Sequence, residues 1–444
     1  MLTRLDLRGF DADLRVALAR PALDGPSALG RPGSPGLAAT VGALIEEVRD
    51  RGDDALRDLT ERFDGVRPAD LRIHRDELQS ALDACDPDLI AALEFARDQI
   101  LAYHEAQREH EARHERMGVH VQELILPVER AGCYVPGGLA AYPSTVLMTV
   151  LPAKVAGVPA VALCTPPGLD GAPPAPTLAA AAIAGVDEMY RVGGVQAIAA
   201  MAYGSETIRA VDVIVGPGNA FVTEAKRQVI GDVGIDSLAG PSELVVVADS
   251  TIDARLVAAD LLAQAEHGPD GQAVLITWHE TLIEEVDDAL AKLLAATPRR
   301  LEAAATLEWG GRAVLVDSPK HAMEVSNAIA PEHLQLMCAF AEDLVLLVRH
   351  AGAVFVGEYA PAVVGDYVAG VNHVLPTGGA ARYQSALRVG DFQKHVHVVR
   401  VDRDALNRIG PFATTIADAE GLAAHAQAIR IREATRPGGV DRRG

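Results

Sequence analysis

The chain has 444 residues, which at ~150 residues per domain predicts about three domains. Apolar residues make up 49% and charged residues 23%, a balance that excludes intrinsic disorder and leaves a core large enough to fold without disulfides or a structural metal. Against 61 acidic side chains stand 40 basic ones, a net charge of −21; this speaks against nucleic acid or a membrane surface as partner and suits a neutral or cationic small molecule.

The opening stretch MLTRLDLRGFDADLR alternates charged and apolar residues and lacks the apolar run of a secretory signal. Clustered Pro and Gly over 21–36 predict a loop after a short N-terminal arm. Apolar residues then recur at three-and-four spacing over 42–63, 77–84 and 86–115, which predicts helices. The last of these carries His104, His110 and His114, and His110 and His114 have the i, i+4 spacing of a metal pair. Glu105, Glu109, Glu111 and Glu115 surround them, with no third ligand and no apolar shell, so the segment reads as a solvated helix face.

From Val128 onward the texture changes. Strand-length apolar runs at 131–134, 160–164, 188–192, 211–215, 244–249, 273–277, 312–316 and 344–348 alternate with Ala-rich segments of helix length. That alternation predicts βα units, parallel sheets covered by helices on both faces, and enough of them for two domains. The most apolar tract, 144–162, is broken by Pro152, Lys154 and Pro159 and makes a poor membrane span. Cys85, Cys133, Cys164 and Cys338 lie far apart without a CxxC pair, as expected of reduced thiols in a cytoplasmic protein. Helical texture returns over 400–433, and 437–444 is expected to fray.

Several short patterns carry chemistry, each with a plain structural alternative. Gly216-Pro217-Gly218-Asn219-Ala220-Phe221 follows a predicted strand and opens a helix, but it lacks the third glycine of a dinucleotide fingerprint; it is a ligand loop or a simple turn. Gln264 and His267 are three apart near the end of a predicted helix, as ligands or as a polar cap, with Gly268 and Pro269 stopping it. Pro331-Glu332-His333 sets a carboxylate beside an imidazole, for acid–base work or as an ordinary helix start. Gly365-Asp366-Tyr367 lies in a predicted loop that ends Asn372-His373-Val374-Leu375-Pro376. Glu420 and His425 stand five apart in the C-terminal helical region.

In combination these patterns stop being ordinary. GCYVPGGLAAYPSTVLM, RVGGVQAIAAMAYG, GPGNAFVTEAKRQV, AGPSE, LLAQAEHGPD, IAPEHLQL, GDYVAGVNHVLPT and EGLAAH occur in that order, and from about residue 1 to 433 the chain resembles the histidinol dehydrogenases. The resemblance implies an α/β fold of two Rossmann-like, aldehyde-dehydrogenase-like domains with parallel sheets and small helical terminal segments. It implies an arm at 1–25, a discontinuous first domain at 26–133 and 242–387, a second at 134–241 with the NAD contacts, and a dimerisation segment at 388–444.

The same resemblance implies a four-electron oxidation of L-histidinol to L-histidine through bound L-histidinaldehyde, the last two steps of histidine biosynthesis. One zinc ion per subunit would be held by Gln264, His267, Asp366 and His425. His333 would be the general base and Glu332 the activator of water. Ser242 and Glu420, with Gln264, His267, His333, Asp366 and His425, would contact substrate, and Tyr134, Gln196 and Asn219 would contact NAD. The family pattern also implies a homodimer with shared sites. The alternative is a relative of the same fold that oxidises another small alcohol, such as a sulfonated diol, with the same NAD and zinc; the Glu420…His425 segment argues against it.

Overall fold

The computed structural model describes residues 1–9, 32–137, 141–268 and 270–434. The loop expected at 21–36 falls mostly outside them, as do Pro269 and the tail at 437–444. The chain divides into two compact units, Met1–Arg108 with Val128–Phe392, and Glu109–Pro127 with Gln393–Gly444.

Among the described residues the first unit carries two six-stranded sheets. In the first sheet the order is Arg72–Ile73, Glu188–Arg191, Ala160–Thr165, Arg130–Tyr134, Val213–Val215 and Gly234–Ile235. All neighbours are parallel except Arg72–Ile73, which runs antiparallel to Glu188–Arg191. The chain winds outward from Arg130–Tyr134 to one side and then returns to Val213–Val215 on the other, so a topological switch point lies between these two strands. Apolar side chains fill both faces: Leu93, Ile100, Val146 and Leu178 on one, Val41, Val48, Leu56, Ile198 and Val222 on the other.

The second sheet runs Thr3–Asp6, Gly311–Leu315, Gln272–Thr277, Glu243–Ala248, His333–Met337 and Ala353–Val356, parallel throughout. Its switch point lies between Glu243–Ala248 and His333–Met337, paired in the register Leu244 to His333. In the second unit Gln393–Val401, Val119–Pro127 and Arg113–Arg116 form an antiparallel sheet, and the helices Arg403–Ala419 and Ala423–Ala434 pack on each other.

Several expectations are corrected. The helices between Pro35 and Glu105 bury their apolar faces on the first sheet, with 134–241, rather than on the second sheet with 242–387 as the expected first domain had it. Arg130–Tyr134 is the centre of the first sheet, not the end of another domain. The start of the expected arm, Thr3–Asp6, is an edge strand of the second sheet rather than a helical segment. The C-terminal segment is not purely helical: after the 3-10 turn Val389–Phe392 it forms the strand Gln393–Val401, and from Gln393 it shares its unit with Glu109–Pro127.

The helix expected over 42–63 is two, Pro35–Arg51 and Asp53–Asp64, broken at Gly52. Gly52 has φ +53°, ψ −130°, and a Cβ there would meet the Glu206 carboxylate at 2.3 Å. The helix expected over 86–115 stops at Glu105, where the apolar spacing ends. His110 is therefore in a connecting loop and His114 on an edge strand, both exposed, while His104 is fully buried with Nδ1 2.8 Å from the Ile100 carbonyl. The run 344–348 is not a strand: Ala341–Val345 is helical, and the strands are His333–Met337 and Ala353–Val356. Among the described residues no helix is long and apolar enough to cross a membrane, and all four cysteines are free.

Candidate active site

A cleft of about 1680 Å³ in the first unit receives side chains from both sheets. The first sheet contributes the C-terminal ends of its strands: Tyr134 closes Arg130–Tyr134, and Gly216-Pro217-Gly218 follows Val213–Val215. The second sheet contributes the opposite ends, since Ser242 and Glu332 immediately precede Glu243–Ala248 and His333–Met337.

Parallel pairing sets the Glu332-His333 dyad. Glu332 Oε2 accepts the Glu243 backbone N–H at 2.9 Å and lies 3.4 Å from His333 Nδ1. His333 Nδ1 is 3.2 Å from the Glu243 carbonyl. A carbonyl only accepts, so Nδ1 keeps its proton in either form of the ring and Nε2 is the nitrogen that gains or loses one. Nε2 is buried without a hydrogen-bond partner, 3.6 Å from Asp366 Oδ1. Burial opposes a charged imidazole, but Glu332 and Asp366 outweigh it and raise His333 to about 10. His333 begins a strand and Glu332 immediately precedes it, so the helix-start alternative is wrong.

Asp366 is on the last turn of the short helix Ala362–Tyr367, not in a loop. Burial alone would raise its carboxyl, yet His333, with His373 and His267, holds it below the usual value. His373 also lines the cleft; its Nδ1–H donates to the Asp366 carbonyl at 2.9 Å and its Nε2 is 3.3 Å from Thr145 Oγ1. Gln264 is buried on the last turn of Ala254–Ala265, a helix capped by the Asp253 side chain, and its Nε2 has no hydrogen-bond partner. His267 lies in the turn beyond that helix, so the two do not share a helix face as expected.

At the other end of the cleft the Tyr134 hydroxyl accepts the Gly194 N–H at 3.0 Å, and burial pushes the phenol up to about 12. Gln196 is buried with Oε1 unpartnered. Asn219 caps the helix Ala220–Val229: its Oδ1 accepts from Phe221 N and Val222 N at 3.0 and 3.1 Å, leaving its amide nitrogen for a ligand. The loop before it is clamped by residues that sequence reasoning missed. Lys226 Nζ donates to the Gly216 carbonyl at 2.9 Å and pairs with Asp236, while Asp236 Oδ2 accepts the Gly216 N–H at 2.7 Å. Gly216 has φ +120°, and a Cβ would fall 2.1 Å from the Tyr134 carbonyl, so only glycine fits. A lysine among Val222, Ala225 and Val229 on a buried helix face was the available signal.

Glu420 and His425 are exposed in the second unit, at the end of Arg403–Ala419 and on Ala423–Ala434. Among the described residues no three His, Cys, Asp or Glu side chains gather as a metal site.

Two largely parallel sheets that bring a glycine loop and an imidazole–carboxylate pair to one cleft define an α/β protein with a site suited to acid–base chemistry. The histidinol dehydrogenase family model matches residues 33–433, and the chain belongs to that family. It is 47% identical over 436 residues to the histidinol dehydrogenase of Gluconobacter oxydans, covering 97% of this chain and 99% of that one. To the Methanocaldococcus jannaschii enzyme of the same name it is 43% identical over 395 residues, 88% and 92% of the two chains. The crystal structure of histidinol dehydrogenase from Elizabethkingia anophelis superposes with a TM-score of 0.90 at 35% identity, over 97% of this chain and 98% of that one. The chain is thus an oxidoreductase of histidine biosynthesis.

Proposed function

We propose that the chain oxidises L-histidinol to L-histidine in two consecutive NAD-dependent steps at this cleft, four electrons in all, through L-histidinaldehyde kept in the site. The observation that carries the reading is the state of His333: its Nδ1–H is committed to the Glu243 carbonyl, and its Nε2 is left without a partner beside Asp366. Nε2 takes the hydroxyl proton of the substrate as a hydride leaves the same carbon for the nicotinamide ring. The aldehyde has no such proton, so water must add before a second hydride can leave. Glu332 receives the proton of that water, with one of its oxygens anchored by the Glu243 N–H. The gem-diol then presents a hydroxyl to His333 again. In sum, alcohol, two NAD and one water give carboxylate, two NADH and three protons.

Gln264, His267, Asp366 and the partner subunit's His425 would hold one zinc ion per subunit, since two nitrogen and two oxygen donors suit this borderline metal. The buried Gln264 amide has one end unpaired, and an amide flip presents its oxygen there instead. Held there, zinc would supply a Lewis acid that orients the substrate. As a ligand, Asp366 would favour the imidazolium less, and His333 would stand closer to the neutral form that accepts a proton.

Ser242 and the partner subunit's Glu420 would contact substrate, and Tyr134, Gln196 and Asn219 the NAD. Exposed Phe412 and Ile416, one turn apart on Arg403–Ala419, support a homodimer through the second unit. A cytoplasmic enzyme would keep its four free thiols reduced. The test is purified protein with L-histidinol and NAD, with NADH and the amino-acid product followed together. Histidine formation is expected, and activity on a sulfonated diol but not on histidinol would overturn the reading.

A further inference from the structure

Asp64 ends the helix Asp53–Asp64 and lines the same cleft, yet neither sequence patterns nor the proposed chemistry uses it. Its Oδ2 is buried without a hydrogen-bond partner, and burial pushes the carboxyl up to about 6. Near neutral pH it is still an ionised acceptor that lacks a donor. Its charge acts on the phenol of Tyr134. Gln196, 1% exposed, adds a second acceptor without a partner, its Oε1. Orphaned acceptors in the wall of one cleft call for a ligand rich in donors, such as vicinal hydroxyls.

The fold says which hydroxyls. In a dinucleotide-binding βαβ unit, an acid near the end of the second strand takes the ribose 2′-hydroxyl. The second strand wound from Arg130–Tyr134 is Ala160–Thr165, and it continues Pro166-Pro167-Gly168-Leu169 without an acid. The next residue, Asp170, already accepts the Ala172 N–H at 3.1 Å. Gly65, adjacent to Asp64, lies against Leu169 of that loop. Asp64 thus reaches, from a separate helix, the place where this strand supplies no acid.

We propose that Asp64, with Gln196 in the wall of the same cleft, receives the hydroxyls of the adenosine ribose and makes the site choose NAD over NADP. The inference rests on NAD being the hydride acceptor. A 2′-phosphate would meet the Asp64 carboxylate and remove the hydroxyl it takes. Arg62 is the opposing candidate: it lines the cleft with its guanidinium over the Phe63 ring at 5.0 Å, and it is the group a 2′-phosphate would seek.

The experiment measures kcat and KM for NAD and NADP at saturating L-histidinol in the full-length enzyme and in Asp64→Asn and Asp64→Ser. Calorimetric binding of each nucleotide without substrate is measured in parallel. The wild type should favour NAD by about 100-fold or more, for a desolvated charge-assisted hydrogen bond against a like-charge clash. Asp64→Asn should raise KM for NAD about 10-fold while leaving kcat within about threefold, and should narrow the NAD:NADP ratio by 10-fold or more. Asp64→Glu should recover part of the ratio. A wild type that prefers NADP, or Asp64 variants that turn over with the wild-type ratio, would overturn the inference while leaving the oxidation of histidinol intact. NAD affinity that depends on Asp64 in a protein inert toward histidinol would support the inference and sink the function. A chain that binds neither nucleotide overturns both.

Discussion

Glu332 and Glu243 face each other across two parallel strands, with the Glu243 N–H donated to the Glu332 carboxylate at 2.9 Å and the Glu243 carbonyl 3.2 Å from the Nδ1 of His333. One backbone unit therefore fixes both members of the dyad and sets the tautomer of the imidazole. Because the dyad starts a strand, successive side chains would ordinarily diverge to opposite faces. The shared partner is what keeps Glu332 and His333 at 3.4 Å.

Replacing Glu332 by Gln preserves an acceptor for the Glu243 N–H but removes the proton acceptor for water. The first oxidation should slow less than about 10-fold and the second by about 100-fold or more, as befits loss of a general base. Single-turnover NADH formation from histidinol and from histidinaldehyde, measured separately, checks this. Equal slowing of both steps would remove Glu332 from the hydration step.

The Lys226–Asp236 pair is almost wholly buried, with the two side chains 2% and 3% exposed. Lys226→Met should cost about 3–5 kcal/mol of stability by stranding the Asp236 charge. Adding Asp236→Asn should recover a large part of that, while the Gly216 turn loosens and KM for NAD rises. Denaturant unfolding of the single and double variants, with nucleotide affinity, reads both effects; additive destabilisation would show that the two do not act as a pair.

The Arg130 guanidinium holds the Glu188 carboxyl down at about 2, against an ordinary value of 4.5, with Tyr190 donating to the same group. A depressed pKa in the folded state means stability that is present above about pH 4.5 and lost as pH falls toward 2. Melting temperature should therefore drop over that window more steeply in the wild type than in Glu188→Gln, whereas above pH 5 the variant should be the less stable protein by a constant margin. Parallel melting curves across the window would refute the coupling.

Chelation should abolish turnover yet leave NAD binding largely intact, because the residues proposed to contact NAD (Tyr134, Gln196 and Asn219) are distinct from the proposed zinc ligands. His267→Asn should lose bound zinc, measured by metal analysis of the purified protein, and His110→Asn should keep it. Similar zinc loss in both would contradict the assignment, given that His110 lies in an exposed loop of the second unit.

Much of this architecture was legible in the chain. Short apolar runs such as 160–164 and 273–277 are strands close to where they were expected, since a strand buried on both faces of a parallel sheet leaves a continuous apolar signature. The run 344–348 has the same texture but is not a strand, because short apolar runs do not distinguish strand from helix. The Pro-Glu-His sequence imitates a helix start, and only pairing with Glu243 reveals a strand. Lys226 and Asp64 were missed for a different reason: what marks each is a partner, or the lack of one, that exists only after folding. Glu332, His333, His267 and Asp366 were named from resemblance, and the fold places all four around one cleft; Glu420 and His425 lie in the other unit.

Sharing of the site between subunits is open to complementation. Homodimers of His425→Ala and of His333→Ala should each be nearly inactive. Co-refolded in equal amounts, about half the dimers should be mixed, each with one intact site of two, so activity should recover to about a quarter of wild type. Activity that stays at the level of the single variants would mean that His425 serves its own chain.

The central claim is that one cleft carries out both oxidations. With limiting L-histidinol and excess NAD, the account predicts about two NADH per histidinol consumed, histidine as product, and little free aldehyde at any time. One NADH per histidinol, with histidinaldehyde accumulating as the end product, would contradict it.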